Sequence, residues 1–305
     1  MATIDILGVP HTYELTTPTG YPDVLVFIHG WLLSRRYWQP LVEELSPDYQ
    51  CLMYDLRGFG DSQPGNDGRI AKGSLDTLAR SAGKAASITD ILTSNYTPAA
   101  YAEDLGVLLE KLNISSAWLV GHSLGGSIAL WGASQLTDKV KGVICLNAGG
   151  GIYLKEAFEK FRSAGQQFLK RRPRWLCYVP GIDLLFSRAN VARPIARCWG
   201  RQRLIDFVVA HPEAALGTLL DSTTEVEVNR LPQVVSCLEQ PVYFITGSQD
   251  MVMEPKYVRH LASFHTLFQD CGDNVIEIAE CGHLAMLEQP EAVATQIRKL
   301  LTINN

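Results

Sequence analysis

The five residues GHSLG at positions 121–125 restrict the fold of this chain more than any other stretch. They fit the pattern G-x-S-x-G, typical of a sharp strand-to-helix turn that exposes a serine hydroxyl above a sheet. The apolar residues 117–120 have strand character, and the small residues of 125–136 predict a helix that lies close to a sheet. Because glycine and serine are also ordinary turn residues, the pattern alone does not make Ser123 a nucleophile.

Short apolar runs and amphipathic stretches alternate along the rest of the chain. The apolar runs predict strands, and the recurrence of apolar residues at helical spacing predicts helices. Strands that alternate with helices indicate an α/β fold with a mostly parallel central sheet flanked by helices. The predicted strands are residues 24–28, 50–54, 117–120, 140–146, 242–246 and 275–278, and the predicted helices are residues 98–112, 125–136 and 290–301.

Two segments interrupt this alternation. Residues 62–97 separate a strand from its helix by far more than the usual few residues, and they fit either an extra helix or a surface loop. Residues 148–235 read as several helices between two strands, which would place them over the strand ends, where ligands bind in open α/β sheets. We therefore predict a core of residues 1–147 and 236–305, with 148–235 inserted as a helical cap.

Composition and charge exclude several classes of protein. The formal net charge of −5 gives no reason to expect a nucleic acid partner. The N-terminal residues lack the pattern of a signal peptide, and no apolar run reaches the length of a membrane-spanning helix. The seven cysteines are scattered and include no C-x-x-C pair, which argues against a disulfide framework or a zinc site. We expect a cytoplasmic protein with reduced thiols and neither a metal ion nor an organic cofactor.

Two further polar residues follow predicted strands, as Ser123 does. Asp250 comes just after the apolar run 242–246, and His283 lies in a loop between the strand 275–278 and the last helix. Hydrolases that carry the G-x-S-x-G turn place nucleophile, acid and histidine in this order along the chain. The three residues are therefore predicted to form a catalytic triad.

Each member of the triad has a separate predicted role. The hydroxyl of Ser123 attacks a carbonyl carbon while His283 takes its proton and later delivers it to the leaving oxygen. Asp250 fixes the tautomer of the imidazole and stabilises its charged form. Three rival acids rank below Asp250. Asp221 lies in the predicted cap, and Asp270 and Asp273 precede the predicted strand 275–278.

The negative oxygen that forms during acyl transfer needs N–H donors in fixed positions. We assign one donor to the backbone N–H of Leu124, directly after the serine, and the other to the backbone N–H of Trp31, in the loop after the strand 24–28. The residues His29 and His122 are assigned structural roles.

The motifs of this chain resemble those of the α/β-hydrolase family, and the resemblance covers nearly all of it outside 62–97 and the cap. It implies the α/β-hydrolase fold and serine chemistry, and HGW together with GHSLGG is similar to carboxylesterases and lipases. The shared motifs are HGW at 29–31, YDLRGFGDS at 54–62, GHSLGG at 121–126, GSQD at 247–250 and CGH at 281–283.

Other branches of the family match less well. Haloalkane dehalogenases and epoxide hydrolases use aspartate where Ser123 stands. The menaquinone-pathway synthase of this fold is similar through HGW and DLRGFGDS, but it usually has arginine directly after the glycines, where this chain has Ser127. Carbon–carbon bond hydrolases tend to have asparagine where His122 stands.

The first part of the predicted cap is strongly basic. Residues 151–203 hold twelve Lys and Arg and three acids, a net charge of +9, against −14 for the rest of the chain. An apolar stretch from Trp175 to Phe186 follows the densest basic run, 170–174. Three interpretations stay open: peripheral contact with an anionic membrane, a solvated helical face, or arginines that bind an anionic group of the substrate.

These observations lead to a primary hypothesis and its alternatives. The primary one is a serine hydrolase of small-molecule carboxylic esters with a hydrophobic acyl or alcohol part, such as a lipid or pigment ester, acting through an acyl-enzyme. The alternatives are a slow ligand-binding receptor that uses the same pocket, a thioesterase, and an enzyme like the menaquinone-pathway synthase.

Overall fold

A computed structural model describes residues 1–63, 96–149, 155–170, 172–271 and 274–304, with an eight-stranded sheet at its centre. The predicted insertion at residues 62–97 lies outside the described residues except for its two ends. The strands are β1 (Ala2–Ile6), β2 (Val9–Leu15), β3 (Val24–Ile28), β4 (Gln50–Tyr54), β5 (Ala117–His122), β6 (Val140–Leu146), β7 (Val242–Gly247) and β8 (Val275–Ile278).

The strand order is β1-β2-β4-β3-β5-β6-β7-β8. The N-terminal hairpin of β1 and β2 joins the sheet antiparallel to β4, and all neighbouring pairs from β4 to β8 are parallel. Because the carboxyl ends of parallel strands share one edge of the sheet, the loops that follow β3, β5, β6, β7 and β8 lie near one another. The predicted α/β-hydrolase fold is confirmed.

Helices follow most strands, and a helical block fills the long connection between β6 and β7. Two short 3₁₀ turns, Arg35–Trp38 and Arg174–Tyr178, add to them. The helices are α1 (Gln39–Leu45), α2 (Pro98–Lys111), α3 (Leu124–Gln135), α4 (Lys155–Lys170), α5 (Ile182–Phe186), α6 (Arg197–Val209), α7 (Pro212–Ser222), α8 (Glu225–Cys237), α9 (Pro255–Ala262), α10 (Thr266–Cys271), α11 (Ala285–Glu288) and α12 (Pro290–Ile303).

The central strands are apolar throughout because both faces of the sheet are covered. In β3, Val24, Val26 and Ile28 point into one hydrophobic cluster, and Leu25 and Phe27 point into the other, as the period of two along a strand requires. The first cluster includes residues of α2 and α3, and the second includes residues of α1 and α12. The two-sided burial explains why the sequence shows continuous apolar runs.

The segment between β6 and α8, which we call the cap, contains α4 to α7. The helix α8 runs across the predicted boundary between residues 235 and 236 and packs on α3. Its buried residues include Val228 and Leu231, and the Trp131 indole of α3 donates a hydrogen bond of 2.6 Å to Glu227. The last part of the predicted cap therefore lies against the core, because its apolar face is buried there.

A buried arginine connects the loops after β3 and β4. Nη1 of Arg35 lies 2.6 Å from Oδ2 of Asp55 and 2.8 Å from Oδ2 of Asp61. The other oxygen of Asp55 accepts the backbone N–H of Arg35 at 2.6 Å. The side chains of Arg35 and Asp55 are almost fully buried, so the motif at 54–62 supplies the acids that compensate a cation inside the core.

We expect Arg35→Met to lower the free energy of unfolding by about 3–5 kcal/mol, because it leaves Asp55 buried without its counter-charge. The neighbouring Arg36 is exposed and, among the described residues, forms an ion pair with Asp61 alone, so Arg36→Met should lower the free energy of unfolding by less than about 1 kcal/mol. Urea denaturation of both variants measures the difference. Equal losses would contradict the role given to the buried pair.

Candidate active site

Ser123 occupies a strained turn between β5 and α3. Its backbone has φ 53° and ψ −117°, in the positive-φ region that residues with a side chain rarely adopt. The turn also approaches the rest of the backbone closely: a Cβ on Gly121 would lie 2.1 Å from the carbonyl oxygen of Gly125, and a Cβ on Gly125 would lie 2.1 Å from that of Ile28. Both glycines of the pattern are therefore required by contact, and the strain is of the kind found at functional sites.

Asp250 and His283 meet at the same edge of the sheet. Nδ1 of His283 lies 2.8 Å from Oδ2 of Asp250. Because a carboxylate only accepts hydrogen bonds, Nδ1 carries the proton and Nε2 is left to take one. His283 and Ser123 line the same cavity, so the structure brings the three predicted residues to one place.

The carboxylate of Asp250 is fixed by more than the histidine. Its Oδ1 accepts the backbone N–H groups of Val252 at 2.8 Å and Met253 at 2.9 Å. Its Oδ2 also accepts the amide of Asn147 at 2.9 Å. Burial by itself raises the pKa of Asp250, but His283 and these hydrogen bonds lower the pKa below its ordinary value. The group is therefore charged and oriented at neutral pH.

Asn147 is a site residue that the sequence reasoning missed. Its Nδ2 also donates to the carbonyl oxygen of Gly282 at 3.0 Å, so one side chain holds both the acid and the loop of the histidine. Asn147 directly follows β6, and its backbone N–H donates to Ile245 of β7 at 2.7 Å. Its position after a predicted strand was the available signal, since the other site residues share that position.

Glu288 was also missed, and no sequence pattern marks it. Its carboxylate accepts the backbone N–H groups of Gly282 at 3.0 Å and Leu284 at 3.1 Å, on either side of His283. It also accepts the N–H of Ala192, in the cap, at 2.8 Å. Glu288 therefore joins the histidine loop to the cap segment between α5 and α6.

The two predicted oxyanion donors also line this cavity. Within the described chain, the backbone N–H groups of Trp31 and Leu124 donate to no protein acceptor. The Trp31 indole donates to the carbonyl oxygen of Ala215 in α7 at 2.9 Å, which fixes the loop after β3 against the cap. Two unpaired N–H groups beside the serine are suited to a negative oxygen.

The two other histidines near the serine are held in structural contacts. His29 donates from Nδ1 to the carbonyl oxygen of Gly30 at 2.8 Å and accepts the N–H of Leu56 at Nε2, 3.0 Å away. His122 donates from Nε2 to the carbonyl oxygen of His283 at 2.7 Å. Burial, followed by the charge of His283, lowers the pKa of His122 to about 3, so this ring stays neutral.

The rival acids lie elsewhere. Asp221 lies in α7 and Asp270 in α10, and Asp273 lies outside the described residues. Within the described residues, no group of three or more His, Cys, Asp and Glu side chains is arranged to hold a metal ion.

The cavity around Ser123 has a volume of about 450 Å³ and mostly apolar walls. Of the described residues that line it, Arg203 is the only Lys or Arg. Nη1 of Arg203 donates to the carbonyl oxygens of Phe186 and Ala189, which holds the cation in place. The apolar walls include Leu33, Leu219, Val252, Met253 and Leu284.

Comparison with known families agrees with this geometry. A family model described as alpha/beta hydrolase fold matches residues 23–290. The chain belongs to this family. The resemblance of its motifs to α/β-hydrolases is therefore confirmed.

Relatives within the family have different activities. The chain is 26% identical over 287 residues to the 2-succinyl-6-hydroxy-2,4-cyclohexadiene-1-carboxylate synthase of Enterobacter sp. strain 638, covering 93% of each chain. It is 26% identical over 258 residues to a bifunctional esterase/perhydrolase of Acinetobacter calcoaceticus, covering 81% of this chain and 80% of that one. A thermophilic esterase from Thermogutta terrifontis has a similar fold, with a TM-score of 0.70, 20% identity and coverage of 100% and 99%.

We expect Glu288→Gln to lower the free energy of unfolding by about 1–3 kcal/mol. A neutral amide with one oxygen cannot accept the N–H groups of Gly282, Leu284 and Ala192 as the carboxylate does. Glu291→Gln on the exposed side of α12 is the matched control and should change it by less than about 0.5 kcal/mol. Thermal and urea denaturation measure both. A loss for Glu288→Gln no larger than that of the control would show that the bridge does not stabilise the loop.

Proposed function

We propose that this α/β-hydrolase is a serine hydrolase that cleaves carboxylic esters with a hydrophobic acyl or alcohol part. One observation carries the proposal: Ser123, on a strained turn, shares a cavity with His283, whose Nδ1 is fixed by a charged Asp250. A serine hydroxyl needs such an adjacent base, and the base needs a third group to orient it.

In the first half of the proposed reaction, Oγ of Ser123 attacks the carbonyl carbon while Nε2 of His283 takes the hydroxyl proton. The negative oxygen accepts hydrogen bonds from the backbone N–H groups of Trp31 and Leu124. When the intermediate collapses, the ester C–O bond breaks and the histidine gives its proton to the departing alcohol oxygen.

The second half of the reaction releases the acid. Water gives a proton to His283 and attacks the acyl-enzyme, and the bond between the carbonyl carbon and Oγ of Ser123 breaks. The proton then returns to the serine. Asp250 stays charged throughout and stabilises the imidazolium.

The walls of the cavity support a hydrophobic substrate. A volume of about 450 Å³ lies within the range of small-molecule sites. Apolar side chains such as Leu33 and Leu219 favour the burial of methylene groups at about 0.8 kcal/mol each. The esterase/perhydrolase among the relatives supports the same class of reaction.

A second candidate is the activity of the 2-succinyl-6-hydroxy-2,4-cyclohexadiene-1-carboxylate synthases, to which the chain is also related. The cation of Arg203 in the cavity favours it, because the named product carries carboxylate groups. Ser127, which also lines the cavity, stands where the synthases usually have arginine, and this disfavours it. Chromatography of a reaction with the synthase substrate tests this candidate, and we expect no named product.

The proposed function predicts that kcat/KM for p-nitrophenyl esters rises from acetate through butyrate to octanoate, because added methylene groups enter the apolar cavity. Ser123→Ala should lower the rate about 10⁴-fold or more, whereas Ser134→Ala, on the exposed side of the same helix, should not change it. Activity of Ser123→Ala within tenfold of wild type would contradict the proposal. Acylation of the wild type without turnover would instead indicate a receptor.

The assignment of the acid predicts that Asp250→Asn lowers kcat by roughly 10³–10⁴-fold, because the wrong imidazole tautomer faces the serine. Asp270→Asn in α10 is the control and should keep wild-type kcat. Both are measured on the butyrate ester, with melting temperatures as a check of folding. The reverse order of effects would move the acid away from β7.

A further inference from the structure

Exposed apolar side chains are concentrated in one segment of the cap. In the described part of the chain, twelve large apolar side chains are exposed, and five of them lie between residues 168 and 185. Such concentrations on a protein surface mark interaction sites. The five are Phe168, Trp175, Tyr178, Leu184 and Leu185, and we call residues 168–170 and 172–188 the cap surface.

The elements that carry these side chains share one support. The 3₁₀ turn Arg174–Tyr178 and the helix α5 both pack on α6, and the ring of Phe168 stacks on Phe207 of α6 with centroids 4.1 Å apart. The exposed side chains therefore belong to a single packed unit.

Three exposed cations accompany the apolar side chains. Lys170, Arg174 and Arg188 are exposed, and none of them forms an ion pair with any described residue. The +9 charge of residues 151–203 contrasts with the −14 of the remaining chain. Aromatic side chains with unpaired cations complement the interface of an anionic lipid bilayer, where rings enter the headgroup layer and cations contact phosphates.

Arg172, which the sequence grouped with these cations, has a different role. Its guanidinium donates to the carbonyl oxygens of Leu169, Phe207 and Ala210 at 3.0–3.1 Å, and it lies over the ring of Phe207. It holds α4 to the end of α6, so it is not available to lipid. Arg171 lies outside the described residues.

A second cavity adjoins the catalytic cavity and reaches residues of the cap surface. It has a volume of about 300 Å³ and shares Trp31, Leu33, Asn190 and Arg203 with the catalytic cavity. Its walls also include Phe168 and Leu185, whose side chains are 48% and 70% exposed. The second cavity therefore lies next to both the catalytic cavity and the exposed apolar side chains of the cap surface.

We propose that the cap surface binds anionic lipid bilayers and that long-chain esters pass from the bilayer through the second cavity to Ser123. The identity of the delivered ligand rests on the proposed ester hydrolase function, whereas the binding to lipid does not. No helix in the described part of the chain has the length and apolarity to cross a bilayer.

Cosedimentation with vesicles tests the binding. The full chain with Ser123→Ala, which we call the parent, is used so that no ester is hydrolysed during the measurement. We expect sedimentation with phosphatidylcholine vesicles that contain phosphatidylserine and much less with phosphatidylcholine alone. Raising the salt from about 0.01 M to about 1 M shortens the Debye length from about 30 Å to about 3 Å and should release most of the protein.

Two triple variants separate the cap surface from general charge. K170Q/R174Q/R188Q should lower the partition coefficient at low salt on the order of 100-fold, from about 1 kcal/mol for each cation near the surface. K141Q/K256Q/K299Q removes the same charge from exposed positions outside the cap and should change the partition coefficient less than about threefold. Equal losses in both would overturn the proposal.

A pair of double variants tests the apolar part. W175S/Y178S should weaken binding at low and at high salt, because inserted rings are not screened by ions. The control L7S/I303S alters two exposed apolar residues outside the cap and should bind vesicles as the parent does. Equal melting temperatures show that a variant is folded.

Two further outcomes overturn the inference while leaving the proposed function intact. The first is a parent protein that stays in the supernatant with anionic vesicles at low salt while the wild type hydrolyses p-nitrophenyl esters. The second is binding that W175S/Y178S and L7S/I303S weaken equally. Binding as expected with a wild type that hydrolyses no ester would overturn the proposed function alone.

Discussion

The close approach of the turn at Ser123 to the backbone of β3 is the constraint on which the rest of the site depends. Gly125 lies where any side chain atom would collide with the carbonyl oxygen of Ile28, and Ser123 keeps a positive φ beside it. The parallel strands then bring the loops that follow them to the same edge of the sheet. A local strain in one turn is held by the stability of the whole sheet.

Around this turn, polar contacts fix the loops to one another. Asn147 connects the acid to the histidine loop, and Glu288 connects that loop to the cap. Arg35 connects the loops after β3 and β4 through buried charges. Each contact satisfies backbone or charged groups whose burial would otherwise cost free energy. The interactions that stabilise this edge of the sheet therefore also orient the groups proposed for catalysis.

The sequence predicted the sheet and the strand-end positions of Ser123, Asp250 and His283, because apolar runs and turn residues are local signals. It could not predict Glu288, whose role depends on four N–H groups from two separate loops. Nor could it separate Arg172, which binds carbonyl groups of α6, from the exposed cations next to it. The sequence prediction assigned most of α8 to the cap, because the apolar face of a helix does not reveal which surface it will cover.

The central claim is that Ser123 is the nucleophile of this fold, and its most direct test is the position of a covalent adduct. A fluorophosphonate that reacts with activated serines can be added to the intact protein, and the modified peptide can then be identified by tandem mass spectrometry. The account predicts one adduct, on Ser123, that is lost in Ser123→Ala and formed much more slowly in Asp250→Asn. An adduct on Ser127 or another serine, or none on folded protein, would contradict it.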